Sequence, residues 1–583
     1  MNRKIMQLAA FLLIFTLIPP ILPAQAAGDG SDMLRVGLTH ASGALPAANL
    51  ENNTGYGAGY RFGYFDSSLS FVELARTDSS QTRISMLKSQ NLWYGGSGYE
   101  TTNNGGALVG CYHIQVPGVY YNYADARNDA EIFNGFVAWI DGTYQVRVGS
   151  YASSQSAQSA LAGMSFNGAV VGTSSYGITV VATGTNRILF QFDGGASQHF
   201  GVMPDVTGAP APRTWFAGYK YEGGFQYRRM SGGDVTVINV ISLDDYTRGV
   251  APYEMGRSWP LEALKAQATC ARTYARIQLE VHKHNSKGYD ICNTDDCQVY
   301  YGMGSNRSDW GPTEVSTQAC AETAGMYIWY QGKLAETYYS SSHGGASEEI
   351  ANVWTNNKAG DFPYLCGVID PYEADLADSN SYSSWSKTYT KSQLTSRIQS
   401  KLGGSSPVKS FALTYSPTGN VISATIYYEN GRSHVISGGE EVRSLFNLNS
   451  IHFVVNGATS GTPNPDVPET PDVPGNPGGT TGNYVISGNG QITQQDSNPY
   501  IITGYGDVSP LNSRAADSRA GTVSTPTATT VTIGTSDKFV FTGGGWGHQL
   551  GMSQYGANAM ARRGMTYEEI ITFYFPGVNV ARG

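Results

Sequence analysis

A single carboxylate, Glu254, stands in the stretch Pro-Tyr-Glu-Met-Gly, just ahead of a long amphipathic run. Apolar surroundings disfavour the charged form of a carboxyl and raise its pKa, which suits a general acid near neutral pH. Ordinary glycoside cleavage uses two carboxylates across the scissile bond. No partner accompanies Glu254 at a fixed spacing, and Glu262 falls in a first helical turn, where the helix dipole favours a carboxylate anyway. Glu254 therefore reads as a lone acid and base, set against a capping or salt-bridge role.

Other residue clusters could serve the same site. Ser341 and His343 lie two apart in YYSSSHGGASEE and would share one face of a strand. No Gly-x-Ser-x-Gly elbow and no placed Asp go with them, so a pocket wall is expected rather than a nucleophile. GGGWGHQLGMSQYG sets Trp546, His548, Gln554 and Tyr555 among glycines; flat aromatics and amides suit sugar recognition, and the bland alternative is a Gly-rich packing turn. Arg272 sits in an Ala-rich helix, either facing an anionic or hydroxyl-rich ligand or making a structural ion pair.

The elements that must position these residues are partly readable. DVTVINVISL is a strand, and Ser242 with Asp245 has the Ser-x-x-Asp pattern of a helix start. Ser258 and Pro260 would open the next helix as N-cap and early proline. Leu261, Leu264, Ala268, Ala271, Ala275 and Leu279 give it one apolar face. MYIWYQGKLAETYYS reads as a hairpin across Gln331-Gly332, and Thr566 with Glu569 as a capping box for a helix ended by Pro576. Residues 27–135 read as short strands with Gly-rich turns and no long helical period. A Pro/Gly/Ser/Thr-rich stretch, 457–536, reads as a linker. The 537–583 segment is too short to hold a core alone and should pack back onto 210–456.

Composition bounds the rest. The chain has 583 residues, enough for several domains, and a net charge of −9, which argues against a nucleic-acid partner. Arg3 and Lys4, a short apolar run broken by Pro19 and Pro20, and Ala24-Gln25-Ala26 read as a secretion signal over 1–26. No other segment could span a bilayer, so a secreted or wall-associated, extracytoplasmic protein is expected. Six cysteines are too few for a disulfide scaffold, and one or two bridges are expected.

The stretch ISLDDYTRGVAPYEMGRSWPLEALKAQATCARTYA resembles the stage II sporulation protein D (SpoIID)/LytB family, and DDCQVYYG, YYSSSHGGASEEIANVW and GGGWGHQLGMSQYGANAMA agree. The resemblance implies a mixed α+β catalytic core, discontinuous across the linker, with Glu254 as catalytic acid and Arg272 in the active site. It implies a peptidoglycan lytic transglycosylase acting on glycan strands or, as in LytB members, an enhancer of a cell-wall amidase. Upstream, YQVRVGSYASSQSAQSAL resembles a SPOR domain, a glycan-binding β-α-β module placed at 136–205. The family pattern usually has Gly after His548, where Gln549 stands here. Some sporulation members hold a zinc near Cys292 and Cys297; here Asp296 replaces their His, and His282 and His284 lie further off. In a secreted protein two close cysteines more often make a disulfide, so a Cys292–Cys297 bridge is expected ahead of zinc and no metal is assigned.

Overall fold

Val235–Ser242 is buried at all eight positions, as a strand covered on both faces must be. In the computed structural model it pairs antiparallel with Met33–Thr39 on one side and Gly224–Arg229 on the other, within a seven-stranded sheet. A ten-stranded sheet packs face to face with it. Their shared core is aromatic: Phe62, Phe190, Phe192, Phe200, Phe225 and Tyr227 are buried together, and Trp139 stacks on Phe192 at 5.1 Å. The structure describes residues 32–456 and 528–583, apart from 207, 209, 307–310 and 359, and between 457 and 527 only four three-residue strands. The stretch expected to be a secretion signal and most of the stretch read as linker lie outside the described residues. No helix among the described residues is long and apolar enough to cross a membrane.

Within the ten-stranded sheet, one six-element unit stands out. It runs Tyr112–Gln115, helix Tyr123–Ile132, Phe136–Ile140, Thr143–Tyr151, helix Ser154–Leu161, Ala169–Gly172. Spatially the strand order is fourth, first, third, second, with antiparallel neighbours throughout. This is the split β-α-β arrangement. It starts ahead of the 136 boundary read from the sequence, because its first strand and first helix fall in the stretch expected to hold strands only. That helix is N-capped by Asn122 and buries only Ala126 and Ala130, so its apolar period is faint.

The long helix Leu261–Val281 buries fourteen residues, many of them Ala, which lets neighbouring elements approach closely. Its N-cap is Pro260, with no side-chain cap. Ser258 is exposed and does not cap, because the Trp259 N–H turns back to the Gly256 carbonyl at 2.8 Å. The other local signals hold. Ser242 accepts from the Asp245 N–H, Thr566 and Glu569 close a capping box, and Gln331 and Gly332 turn the hairpin with φ of 47° and 77°.

Four strands of the C-terminal region pair with five separate parts of the chain. Thr529–Ile533 joins Val408–Tyr415, which places a strand inside the stretch read as linker. Lys538–Gly543 lies between Trp385–Thr390 and Phe453–Val455. Met552–Ser553 pairs with Tyr339–Ser340, and Asn579–Arg582 with Met326–Tyr330. Tyr574, Phe575, Ile570 and Ile571 share a core with Leu264 and Cys270 of the long helix. Chain proteolysed within 457–527 should therefore elute as one particle in size-exclusion chromatography, with the two pieces separating only in denaturant; separation as folded pieces in native buffer would contradict these pairings.

Candidate active site around Glu254

Three segments of the chain converge on one carboxyl. Val235–Ser242 runs into helix Leu243–Arg248 and then the short helix Ala251–Glu254, whose last residue is the acid. Ile291–Cys292 pairs with Met33–Thr39 and leads to Val299, whose N–H donates to Glu254 Oε1 at 2.7 Å. Tyr339–Ser340 pairs in parallel with Met552–Ser553, and the side chains of Tyr339 and Gln554 hydrogen-bond the same carboxyl. Gln298 Nε2 donates to the Tyr339 hydroxyl at 2.9 Å and Gln554 Nε2 to Gln267 Oε1 at 3.2 Å, so both partners are themselves held.

Burial raises the Glu254 pKa to about 7, outweighing the hydrogen bonds from Val299, Tyr339 and Gln554, which lower it; the nearby charge of Asp295 adds to the rise. The residue as a whole is half-buried while its carboxyl lies deep among these partners. Such a carboxyl is about half protonated at neutral pH and can both give and take a proton, and the residue that carries it keeps some exposed surface.

The structure sorts the other residues singled out in the sequence. Gln554 touches the acid and Tyr555 follows it, half-buried, with its N–H on the Ser341 carbonyl at 3.1 Å. Trp546 is 46 % exposed. His548 is half-buried, packs on Trp354 at 5.3 Å and accepts the Leu550 N–H; burial lowers its pKa to about 4, so it is neutral. Two residues lie where no ligand can reach. His343 has no accessible surface, and neither ring nitrogen has a partner among the described residues. Arg272 is equally buried: Nε pairs with Asp244 at 2.6 Å, and its other nitrogens reach Thr323 and the Cys320 carbonyl. It ties the long helix to its neighbours, so the structural ion pair replaces the expected ligand contact.

Residues 231–330 match the stage II sporulation protein family. The stage II sporulation protein D of Bacillus subtilis is 26% identical over 352 residues, covering 59% of this chain and 76% of that protein. The amidase enhancer of Bacillus subtilis is 29% identical over 333 residues, 57% of this chain and 40% of that protein. An uncharacterized protein of Brachyspira hyodysenteriae is 37% identical over 132 residues, 23% of this chain and 33% of that protein. The chain carries a domain of the SpoIID/LytB family. It spans well under two thirds of the length of the amidase enhancer and of the Brachyspira protein.

Two features distinguish this SpoIID/LytB domain. Gln549, where the resemblance leads us to expect Gly, keeps a left-handed backbone with φ 56°, at a cost of about 1–2 kcal/mol. Its buried side chain offsets this by accepting the Ile451 N–H at 2.9 Å. The second feature is at the cysteines. All six are free thiols, so neither the Cys292–Cys297 bridge nor any other forms. Instead the donor atoms of His284, Cys292, Asp296 and Cys297 lie within 4.8 Å of one another. His284 Nε2 is 3.1 Å from Cys297 Sγ and 3.5 Å from Asp296 Oδ2. The chain separation of His284 hid this from the sequence; the loop that follows the long helix folds it back.

A second carboxylate site went unread. Glu373 is buried, and its oxygens accept from Ser342 Oγ, the His343 N–H at 2.9 Å, Asn380 Nδ2 at 3.0 Å and Ser553 Oγ at 3.0 Å. Burial and the neighbouring Asp370 raise its pKa to about 7. No local pattern announces it, because its four donors come from three separate places in the chain. Arg272→Met should lower unfolding free energy by roughly 1–3 kcal/mol, the scale of lost charge-assisted hydrogen bonds, in urea titration; unchanged stability would count against the structural ion pair.

Proposed function

We propose that the protein is a peptidoglycan lytic transglycosylase in which Glu254 is the only acid and base. What supports this most is the Glu254 carboxyl itself, its pKa raised to about 7 by burial and its orientation held by Val299, Tyr339 and Gln554. The proton leaves Glu254 for the leaving glycosidic oxygen, the sugar's 6-hydroxyl attacks the anomeric carbon, and Glu254 takes the hydroxyl proton back. The sporulation relative favours a role in sporulation, and the amidase-enhancer relative favours a second reading, a wall-binding protein that stimulates a separate amidase. On either reading the split β-α-β unit Tyr112–Gly172 would act as a SPOR-like glycan-holding module, and an extracytoplasmic location follows from the substrate.

The ligand set His284, Cys292, Asp296 and Cys297 fits a structural zinc: four donors of the kinds zinc takes, close enough to share one ion. With four protein ligands it would supply folding energy rather than chemistry, fixing the segment that runs on to Val299.

Glu254→Gln should stay folded and lose on the order of 10²–10⁴ in rate on purified glycan strands, with the wild type giving 1,6-anhydro ends by mass spectrometry. Because the acid must be protonated, wild-type kcat/KM should fall as pH rises through about 7. Full cleavage by the variant would reject Glu254; absence of cleavage by the wild type, with an amidase stimulated in its presence, would select the second reading. Elemental analysis should find one zinc per chain, lost in Cys292→Ser together with a lowered Tm; a metal-free protein with unchanged Tm in chelator would dismiss the site.

A further inference from the structure

Arg147 is 4 % exposed, and among the described residues it forms no ion pair. Its Nε and Nη2 donate to Gln145 Oε1 at 3.2 and 2.8 Å, and its Nη1 donates to Gln191 Oε1 at 2.5 Å. Both acceptors are neutral amides, and one N–H on each terminal nitrogen is left over. Gln191 has nothing more to give. The Gly149 carbonyl lies 2.8 Å from His113 Nδ1 and can only accept, so that nitrogen carries the ring proton and Nε2 is an acceptor. Gln191 Nε2 donates to His113 Nε2 and to Thr179 Oγ1, each at 3.1 Å. Burial pushes the Arg147 pKa down to about 10, and the negative charge of Asp193 offsets only part of that. A buried cation without a counter-charge is costly to the fold.

A cleft of about 210 Å³ opens beside these groups. Arg147 and Gln191 line it together with Ser89, Thr173, Gly177 and Asp193. Asp193 is 8 % exposed; its Oδ1 accepts the Gly195 N–H at 3.1 Å, and it too forms no ion pair among the described residues. Opposite charges attract strongly where water is scarce, yet these two line one cleft without touching. The other cation nearby, Arg229, is committed to carbonyls: Gly232 at 2.8 Å, Gly233 at 3.1 Å, and Ser174 and Gly177 at 3.3 Å each. It clamps the turn that carries Gly177 into the cleft rather than pairing with Asp193. The cleft equals about seven waters at about 30 Å³ each, room for a ligand of a few heavy atoms and not for a peptide or a sugar chain. A carboxylate would meet the two free N–H groups of the planar guanidinium side by side, and an ammonium would meet Asp193. None of these residues belongs to the Glu254 site.

We propose that this cleft binds a small free α-amino acid as its zwitterion, with the carboxylate on Arg147 and the ammonium on Asp193. Calorimetry and ligand-observed NMR on the full-length protein test it, with alanine, alaninamide and acetate as probes. Alanine should bind saturably. Alaninamide lacks the carboxylate and acetate lacks the ammonium, so each should bind more weakly by about tenfold or more, the scale of a lost charge-assisted hydrogen bond. Arg147→Gln should abolish alanine binding. Because losing a buried guanidinium can itself disturb the sheet, two milder variants carry the same test. Asp193→Asn keeps the shape and removes the charge. Gly177→Ala sets a methyl group 3.0 Å from Ser89 Oγ and 3.4 Å from Asp193 Oδ2, inside the cleft. Each should weaken alanine by about tenfold or more, with the fold checked by circular dichroism. Undiminished alanine binding in either folded variant, or none in the wild type, would overturn the site. Acetate binding as tightly as alanine would overturn the zwitterion.

Discussion

Glu373 is a carboxylate removed from water and must be met by donors or it would destabilise the fold by several kcal/mol. The chain answers with Ser342, the His343 N–H, Asn380 and Ser553. Asp370, three residues earlier and equally buried, accepts from the Tyr574 hydroxyl at 2.6 Å and the Tyr372 N–H at 2.8 Å. These two acids join the 338–343 segment, the 370–382 loop and both C-terminal helices. Their directional demands leave little freedom in how the segments sit. Losing one donor strands a buried charge, so the network holds or fails as a unit.

That arrangement sets the reactive group. Ser553 N-caps the helix that begins at Gln554, and Ser553 is also paired with Ser340 beside Tyr339. The two side chains that orient Glu254 from this direction are thus placed by the parallel two-residue pairing and by Glu373 behind it. Both carboxyls are raised to about 7 by burial, but they differ in access. Glu373 is closed in by four donors, which suits a structural anchor. Glu254 belongs to a half-buried residue, which suits proton transfer to something outside.

Local signals in the sequence were reliable where the deciding interaction is local. The Thr566–Glu569 capping box, the Ser242 cap, the Gln331-Gly332 turn and the apolar face of Leu261–Val281 each depend on residues within a few positions. The helix Tyr123–Ile132 escaped because its stability comes from packing Ala126 and Ala130 onto the sheet, not from a visible apolar stripe. Ser258 has the right chemistry for a cap, yet the Gly256–Trp259 turn carries it outward. Arg272 and His343 have residue types that suit a ligand site, and only the packing of the long helix and of the 338–343 strand shows that both are fully enclosed.

The sequence by itself determined that a lone glutamate sits in apolar company ahead of an Ala-rich helix, that Trp546, Gln554 and Tyr555 travel together, and that the family blocks are present. It could do so because types and short spacings are written in the chain. Only the tertiary structure decided which groups touch Glu254, that His284 joins the cysteine pair, and that Glu373 ties together the segments of Ser342, Asn380 and Ser553. Those contacts are made across tens to hundreds of residues by strand pairing and shared burial, and the free energy of such contacts depends on where the whole chain closes rather than on any stretch of it.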